Sequence, residues 1–232
     1  MALSAKEYYK ITCTLFETHA NPVDAEAMLK YMRNQFAFYG LKAPIRRAIE
    51  KEIIKEYGLP SIEQLPELLD LMWADEHREL QHFGMDILDK QIKKVDENFI
   101  AILEKLITTK SWWDTVDMIA VRLVGTLCKR FPEMVPDYPN KWMASNNRWL
   151  QRTSIIFQLK HKESTDTDLL FDYILQLKHS KEFFIQKAAG WALREYSKTD
   201  WELIHDFIEA HPDLAPLTRR EGLKWMKSKG VL

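Results

Sequence analysis

The residues best placed to do chemistry lie in the run Lys110-Ser111-Trp112-Trp113-Asp114-Thr115-Val116-Asp117. Trp113 and Asp117 are four apart, so on a helix they share one face with Cβ atoms roughly 5–6 Å apart. An apolar stripe through Trp112, Val116, Ile119, Leu123 and Leu127 lies about 100° round the same helix and makes Trp112 a core anchor. Ser111-x-x-Asp114 has the form of a capping box, which accounts for Asp114 at a helix start. Neither Trp113 nor Asp117 is accounted for by stripe or cap. A tryptophan off the stripe can be partly buried packing, and a lone helical aspartate is usually solvated. It is the pairing of the two that points to a site.

Similar groupings recur further along. Arg152 and Lys160 are eight apart on one helical face, and Lys187, Trp191 and Arg194 follow at spacings of four and three. Cations flanking an aromatic are the composition of a nucleic-acid groove, with phosphates held by the basic groups and indoles packed on sugars and bases. A structural alternative stays open, in which Arg152 pairs with the Asp117 of a neighbouring repeat and Trp191 simply packs. On DNA, a carboxylate beside a sugar can stabilise the oxocarbenium-like charge at C1′ as an N-glycosidic bond breaks, or position the attacking water. One carboxylate is enough if the base is already alkylated at a ring nitrogen, because a cationic base departs neutral and needs no general acid.

The elements that must position these groups read as helices throughout. Seven glycines in 232 residues, no Asn-Gly or Asp-Gly hairpin signal and apolar spacing of three and four predict an all-α chain. About a dozen helices of roughly 10 to 18 residues are expected. Their starts and breaks fall at Asn21-Pro22, Ala43-Pro44, Leu59-Pro60-Ser61, Thr108 to Ser111, Phe131-Pro132, Asp137 to Asn140, Ser145-Asn146, Ser180, Thr199, His211-Pro212 and Ala215-Pro216. Leu80-Gln81-His82, Thr115-Val116-Asp117, Leu150-Gln151-Arg152 and Ile185-Gln186-Lys187 begin 35 residues apart. A period of that length built from helical pairs predicts an α-solenoid with a concave groove, the alternative being an irregular helical bundle. His82, Asp117, Arg152 and Lys187 then occupy one slot in successive repeats. No linker or low-complexity segment divides the chain, so residues 1–232 are expected to form one domain.

Composition removes other classes. The chain is 46% hydrophobic and 29% charged, with 33 Lys+Arg against 34 Asp+Glu, which excludes disorder and bulk electrostatic coating of nucleic acid. The charge is uneven: residues 1–109 hold 14 basic and 18 acidic side chains, residues 110–232 hold 19 and 16, so a polyanion should prefer the second part. No membrane span or secretion signal is read, and Cys13 and Cys128 suggest neither a disulfide framework nor a zinc site, so a cytoplasmic chain is expected. His77 and His82, five apart, fall on different helix faces and form no metal motif, and phosphate-binding glycine loops are absent. Arg219, Arg220, Lys224, Lys227 and Lys229 form a basic terminal helix, either a solubilising cap or a phosphate contact.

The run Lys110 to Asp117, with Trp149-Leu150-Gln151-Arg152 and Lys181 to Lys187, resembles the AlkD-type DNA alkylation-repair family of HEAT-like repeat glycosylases. Tyr31-Met32-Arg33-Asn34, Gly40, Pro44, Arg46-Arg47, Gly190-Trp191 and Leu214 to Leu217 extend the likeness over nearly the whole chain. The resemblance implies excision of positively charged N3- and N7-alkylated purines from duplex DNA by a monomer, without deep base flipping and without metal or organic cofactor. It implies that Asp117 assists cleavage, that Trp113 and Trp191 contact the lesion's deoxyribose, and that Arg152 holds the backbone. It also implies a further DNA contact at Tyr31 and groove-lining positions at Lys160 and Arg194, and Lys187 is expected to bind DNA with them. The protein would be cytoplasmic and nucleoid-associated when bound to DNA. The competing expectation is a non-catalytic HEAT-repeat scaffold binding DNA or protein in the same groove.

Overall fold

The computed structural model describes residues 3–232, and they are all-α, in the helical-pair stacking of an α-solenoid. Among the described residues there is no strand, only an isolated bridge between Ala37 and His77. The chain clusters into two compact units, one ending at Asp96 and the other spanning Glu97–Leu232.

The first unit holds α1 (Ala5–Thr18), α2 (Pro22–Tyr31), α3 (Ala43–Tyr57), α4 (Leu65–Ala74) and α5 (Arg78–Gln91). Sequence punctuation sets these bounds: Ser4 and Glu7 close a capping box on α1, and Asn21 caps α2 ahead of Pro22. The loop after Tyr31 passes through left-handed backbone at Arg33 and Asn34. It is then pinned by Glu79, a fully buried carboxylate that accepts the N–H groups of Tyr39, Gly40 and Leu41 at 3.2, 2.9 and 3.1 Å. In the same unit Arg46 donates to Glu50 and, at 3.0 Å, to Asp86, an ion cluster between α3 and α5.

The second unit holds α6 (Ile100–Thr108), α7 (Trp113–Met118), α8 (Gly125–Arg130), α9 (Pro139–Met143), α10 (Arg148–Ile156), α11 (Thr167–Gln176), α12 (Phe183–Tyr196), α13 (Trp201–Ala210), α14 (Pro216–Gly222) and α15 (Lys224–Lys229). Several are shorter than the sequence pattern predicts, and the expected basic terminal helix is the pair α14 and α15. Arg219 caps α13 there, donating to the carbonyls of Ile208 and His211 and to Glu209.

The 35-residue period has a physical basis. Gln81 donates its side-chain amide to the carbonyls of Met72 and Asp75, both at 3.0 Å. Gln151 does the same to Met143 and Ser145 at 3.3 and 2.6 Å, and Gln186 to Ser180 at 2.9 Å. Each glutamine sits in the second helix of a pair and satisfies carbonyls left open where the first helix ends. Val116 occupies the slot between Gln81 and Gln151 and cannot make that bond. The corresponding turn is different: Lys110, equivalent to Asp75, Ser145 and Ser180, is in the left-handed region at φ 49°.

The expected Ser111 cap is not formed, because Ser111 Oγ donates to the Ile107 carbonyl at 2.6 Å and the N-cap is Trp112, in extended backbone. From there α7 runs through a π-helical stretch, Ile119–Val124, into α8 without a break. Gly125 N–H bonds the Ala120 carbonyl five residues back, and the Gly125 carbonyl lies 3.0 Å from His161 Nε2. Burial holds the His161 pKa below its usual value, so the neutral ring donates this bond through Nε2. A Cβ on Gly125 would lie 2.3 Å from the Phe157 carbonyl oxygen, so glycine is what lets α8 approach the chain leaving α10.

Burial, aided by Asp86, pushes the Glu50 carboxyl up from 4.5 to about 7 against the pull of Arg46. A carboxyl raised in this way keeps a proton in the folded state that the unfolded chain releases. Stability from this group is therefore lost as pH climbs from about 4.5 to about 7, a change of at most about 3 kcal/mol. Relative to wild type, Glu50→Gln should gain stability between pH 5 and pH 8 in urea unfolding; a pH-independent difference would contradict the assignment.

Candidate active site

Asp117 lies near the end of α7, one turn after Trp113, and both side chains are partly buried. Across from them, at the same slot of the next repeat, α10 presents Arg152. Its Nε donates to Asp117 Oδ1 at 2.6 Å and its Nη2 to Oδ2 at 2.8 Å, a bidentate pair, while Nη1 donates to the Phe184 carbonyl at 2.6 Å. Arg152 is 5% exposed, whereas the Asp117 side chain keeps 17%. The pairing left open by the sequence is thus the one the fold adopts, and it places the guanidinium behind the carboxylate.

An aromatic cluster closes the inner side. Trp112 meets Phe184 and Trp149 edge-on at centroid distances of 5.3 and 5.8 Å, and Trp149 lies 4.9 Å from Phe184. The Arg152 guanidinium carbon is 5.9 Å from the Phe184 centroid. Trp112 is therefore the anchor its stripe predicts, although its buried indole N–H has no acceptor among the described residues, which costs about 1–3 kcal/mol. In these surroundings burial raises the Asp117 pKa, and the two Arg152 hydrogen bonds draw it only part of the way back.

Phe184, Lys187, Trp191 and Arg194 form one stripe on α12, at spacings of three, four and three. The stripe begins at Phe184, whose carbonyl Arg152 bonds, and carries Trp191 two turns further, roughly 10 Å along the axis. Lys187 Nζ and Arg194 Nη1 both bond the Glu221 carboxylate of α14, at 3.0 and 2.6 Å. Lys160 is mostly exposed and lies 3.6 Å from Glu195, which also binds Lys198. Lys160, Glu195, Lys198 and Tyr196 border a cavity of about 310 Å³ floored by Ile155, Leu159, Leu170 and Ala192, with neither Trp113 nor Asp117 in its lining.

The second unit therefore gathers Trp113, Asp117 and Arg152, and sets Lys187, Trp191 and Arg194 on one adjoining face. Tyr31 belongs to the first unit, at the end of α2, where it is 71% exposed. His82, in the same repeat slot as Asp117, is also in the first unit and half-buried. His77 bonds Asp75 at 3.0 Å and stacks on Tyr39 at 3.9 Å. Among the described residues no three His, Cys, Asp or Glu side chains are grouped to hold a metal ion. Sequence reading missed the Phe184 carbonyl, Glu195 and Glu221. Only Glu221 leaves a signal, since it stands 35 residues after Gln186 in the glutamine slot.

The profile of the DNA alkylation repair enzyme family matches residues 13–226. A solved structure described as a predicted DNA alkylation repair enzyme from Enterococcus faecalis is 32% identical, with a TM-score of 0.82 over 89% of this chain and 96% of that one. No curated protein matches.

Arg152→Met should lower the unfolding free energy by about 3 kcal/mol, because it strands a mostly buried carboxylate. Adding Asp117→Asn should recover part of the loss in a double-mutant cycle; a coupling near zero would show that the pair contributes nothing to the fold.

Proposed function

The chain belongs to the DNA alkylation repair enzyme family, and from that premise we propose that it is a monofunctional glycosylase for positively charged N3- and N7-alkylated purines in duplex DNA. The family membership gives it a role in the repair of alkylated DNA. The observation that carries the finer reading is a carboxylate, Asp117, held by two hydrogen bonds from Arg152 and set one helical turn from the half-buried indole of Trp113.

In this mechanism the C1′–N bond breaks with its electron pair passing to the alkylated base, which leaves neutral. Positive charge grows on the deoxyribose, and the ionised Asp117 faces it in a site of low polarity, where a fixed charge acts most strongly. Water adds to C1′ and gives up a proton, leaving an abasic site. Arg152 orients the carboxylate; two of its five N–H hydrogens are not used by Asp117 or Phe184 and are what it can offer a phosphate. Trp113 and Trp191 pack against the sugar, while Lys187, Arg194, Lys160 and Tyr31 contact the backbone. The base carries its own activation, so the lesion need not enter a deep pocket, and a monomer suffices.

Asp117→Asn should slow single-turnover release of alkylpurine from methylated duplex by at least about 100-fold, while binding to an abasic-site analogue is kept. Unchanged release would leave a non-catalytic DNA-binding scaffold as the reading. Because only the ionised carboxylate stabilises the cation, and burial has raised its pKa, the rate should fall on acidification at a pH above the usual aspartate range. Arg152→Met removes the group that lowers this pKa and should move the acid limb higher still; a limb that stays in place would detach Asp117 from the chemistry.

A further inference from the structure

We propose that Glu221 is a positioning residue that presents Lys187 and Arg194, on either side of Trp191, to a single backbone phosphate beside the lesion, a role that rests on the glycosylase reading above. By the 35-residue period Glu221 falls in the slot that holds Gln81, Gln151 and Gln186, with Val116 in the one other repeat, although it is the sixth residue of its helix where the glutamines are the fourth of theirs. A glutamine there donates to open carbonyls of the preceding turn; a carboxylate has no hydrogen to donate and must instead accept. Glu221 accepts from the two cations of α12, Lys187 at 3.0 Å and Arg194 at 2.6 Å, with its own side chain only 11% exposed. The repeat device has been turned from a clasp on backbone into a clasp on basic side chains.

The geometry makes the clasp specific. Lys187 and Arg194 are seven residues apart, roughly 10 Å along the helix axis. They nevertheless converge on the two oxygens of one carboxylate, so their charged groups are drawn together about the Trp191 position. The α14 chain lies hard against α12 at that level: a Cβ on Gly190 would sit 2.5 Å from Glu221 Cβ and 2.9 Å from the Thr218 carbonyl oxygen. Thr218 Oγ1 also donates to the Gln186 carbonyl at 3.1 Å. One carboxylate does not cancel the two cations it holds, and Lys224 adds a third positive charge nearby, so the cluster stays net positive, as a phosphate partner requires. Burial opposes ionisation of Glu221, but Lys187, Arg194 and Lys224 outweigh it and hold the carboxyl below its usual pKa.

The alternatives predict otherwise. If Glu221 merely competed with phosphate for the cations, its neutralisation would tighten binding and speed release; if it merely packed α14 on α12, any damage to that contact would act alike. Glu221→Gln is measured against Thr218→Val, which disturbs the same contact without touching a charge. The expected result is a release rate from methylated duplex about 10-fold lower at saturating Glu221→Gln protein. Its preference for an abasic-analogue duplex over undamaged duplex should fall by a similar factor, while affinity for undamaged duplex is kept or rises. Thr218→Val should keep both rate and preference. An unchanged or faster rate in Glu221→Gln, an unchanged duplex preference, or an equal loss in Thr218→Val overturns the proposal. The preference needs no turnover: if the wild-type protein releases no base, the glycosylase reading falls on its own, and the duplex comparison still decides the role of Glu221.

Discussion

One guanidinium joins three successive repeats of the second unit. Arg152, on α10, closes a bidentate pair with Asp117 on α7 and donates its third bond to the first turn of α12. Removing two charges from water costs several kcal/mol per ion, and the loss is offset only when geometry is good and the remaining donors are satisfied. The geometry is good here, and three of the five guanidinium N–H hydrogens are satisfied within the protein. A buried pair of this kind does little for net stability compared with apolar packing, but it fixes relative position, because any slip of one helix strands a charge. The orientation of the Asp117 carboxylate is thus set by the repeat that follows it.

The same economy of partners runs through the basic groups. Arg152, Lys160, Lys187 and Arg194 each meet a carboxylate of the same unit. An overall charge near zero is then no argument against a polyanion partner, since the cations are held in place in advance and not left to gather on contact. Preorganisation of this sort lowers the ordering entropy that long, flexible side chains would otherwise lose on binding.

Much of this was legible in the chain. The three-and-four apolar spacing, the near absence of turn dipeptides and the 35-residue recurrence led to helical pairs, and the Trp113/Asp117 and Lys187/Trp191/Arg194 spacings led to shared faces. The Asp117–Arg152 pair was visible as one of two readings, because repeat register places them in equivalent slots; which one holds depends on burial, and spacing does not carry burial. The Ser111 cap failed for a local reason, as the Ile107 carbonyl lies within reach of the hydroxyl and is taken first. Glu221 is not marked by a recurrence of like residues through the slot, since its meaning lies in the change from amide to carboxylate. The Phe184 carbonyl had no signal at all, since a backbone group bears no mark of its use in the residue type.

The repeat that bears Asp117 also departs from the pattern, with Val116 in place of glutamine, a left-handed Lys110 and the π-helical stretch that follows. A π turn accommodates one residue more than its α counterpart, and one residue of helix is worth roughly 100° of rotation. The rod from Trp113 to Arg130 therefore behaves as two keys cut on one shaft. One end is indexed by Arg152 and the other by the close fit of Gly125 under Phe157, and the extra residue lets both lock at once. Deleting a single residue between Ile119 and Val124 would restore an ordinary helix at the expense of that phase offset, and the shaft would have to leave one of its two locks.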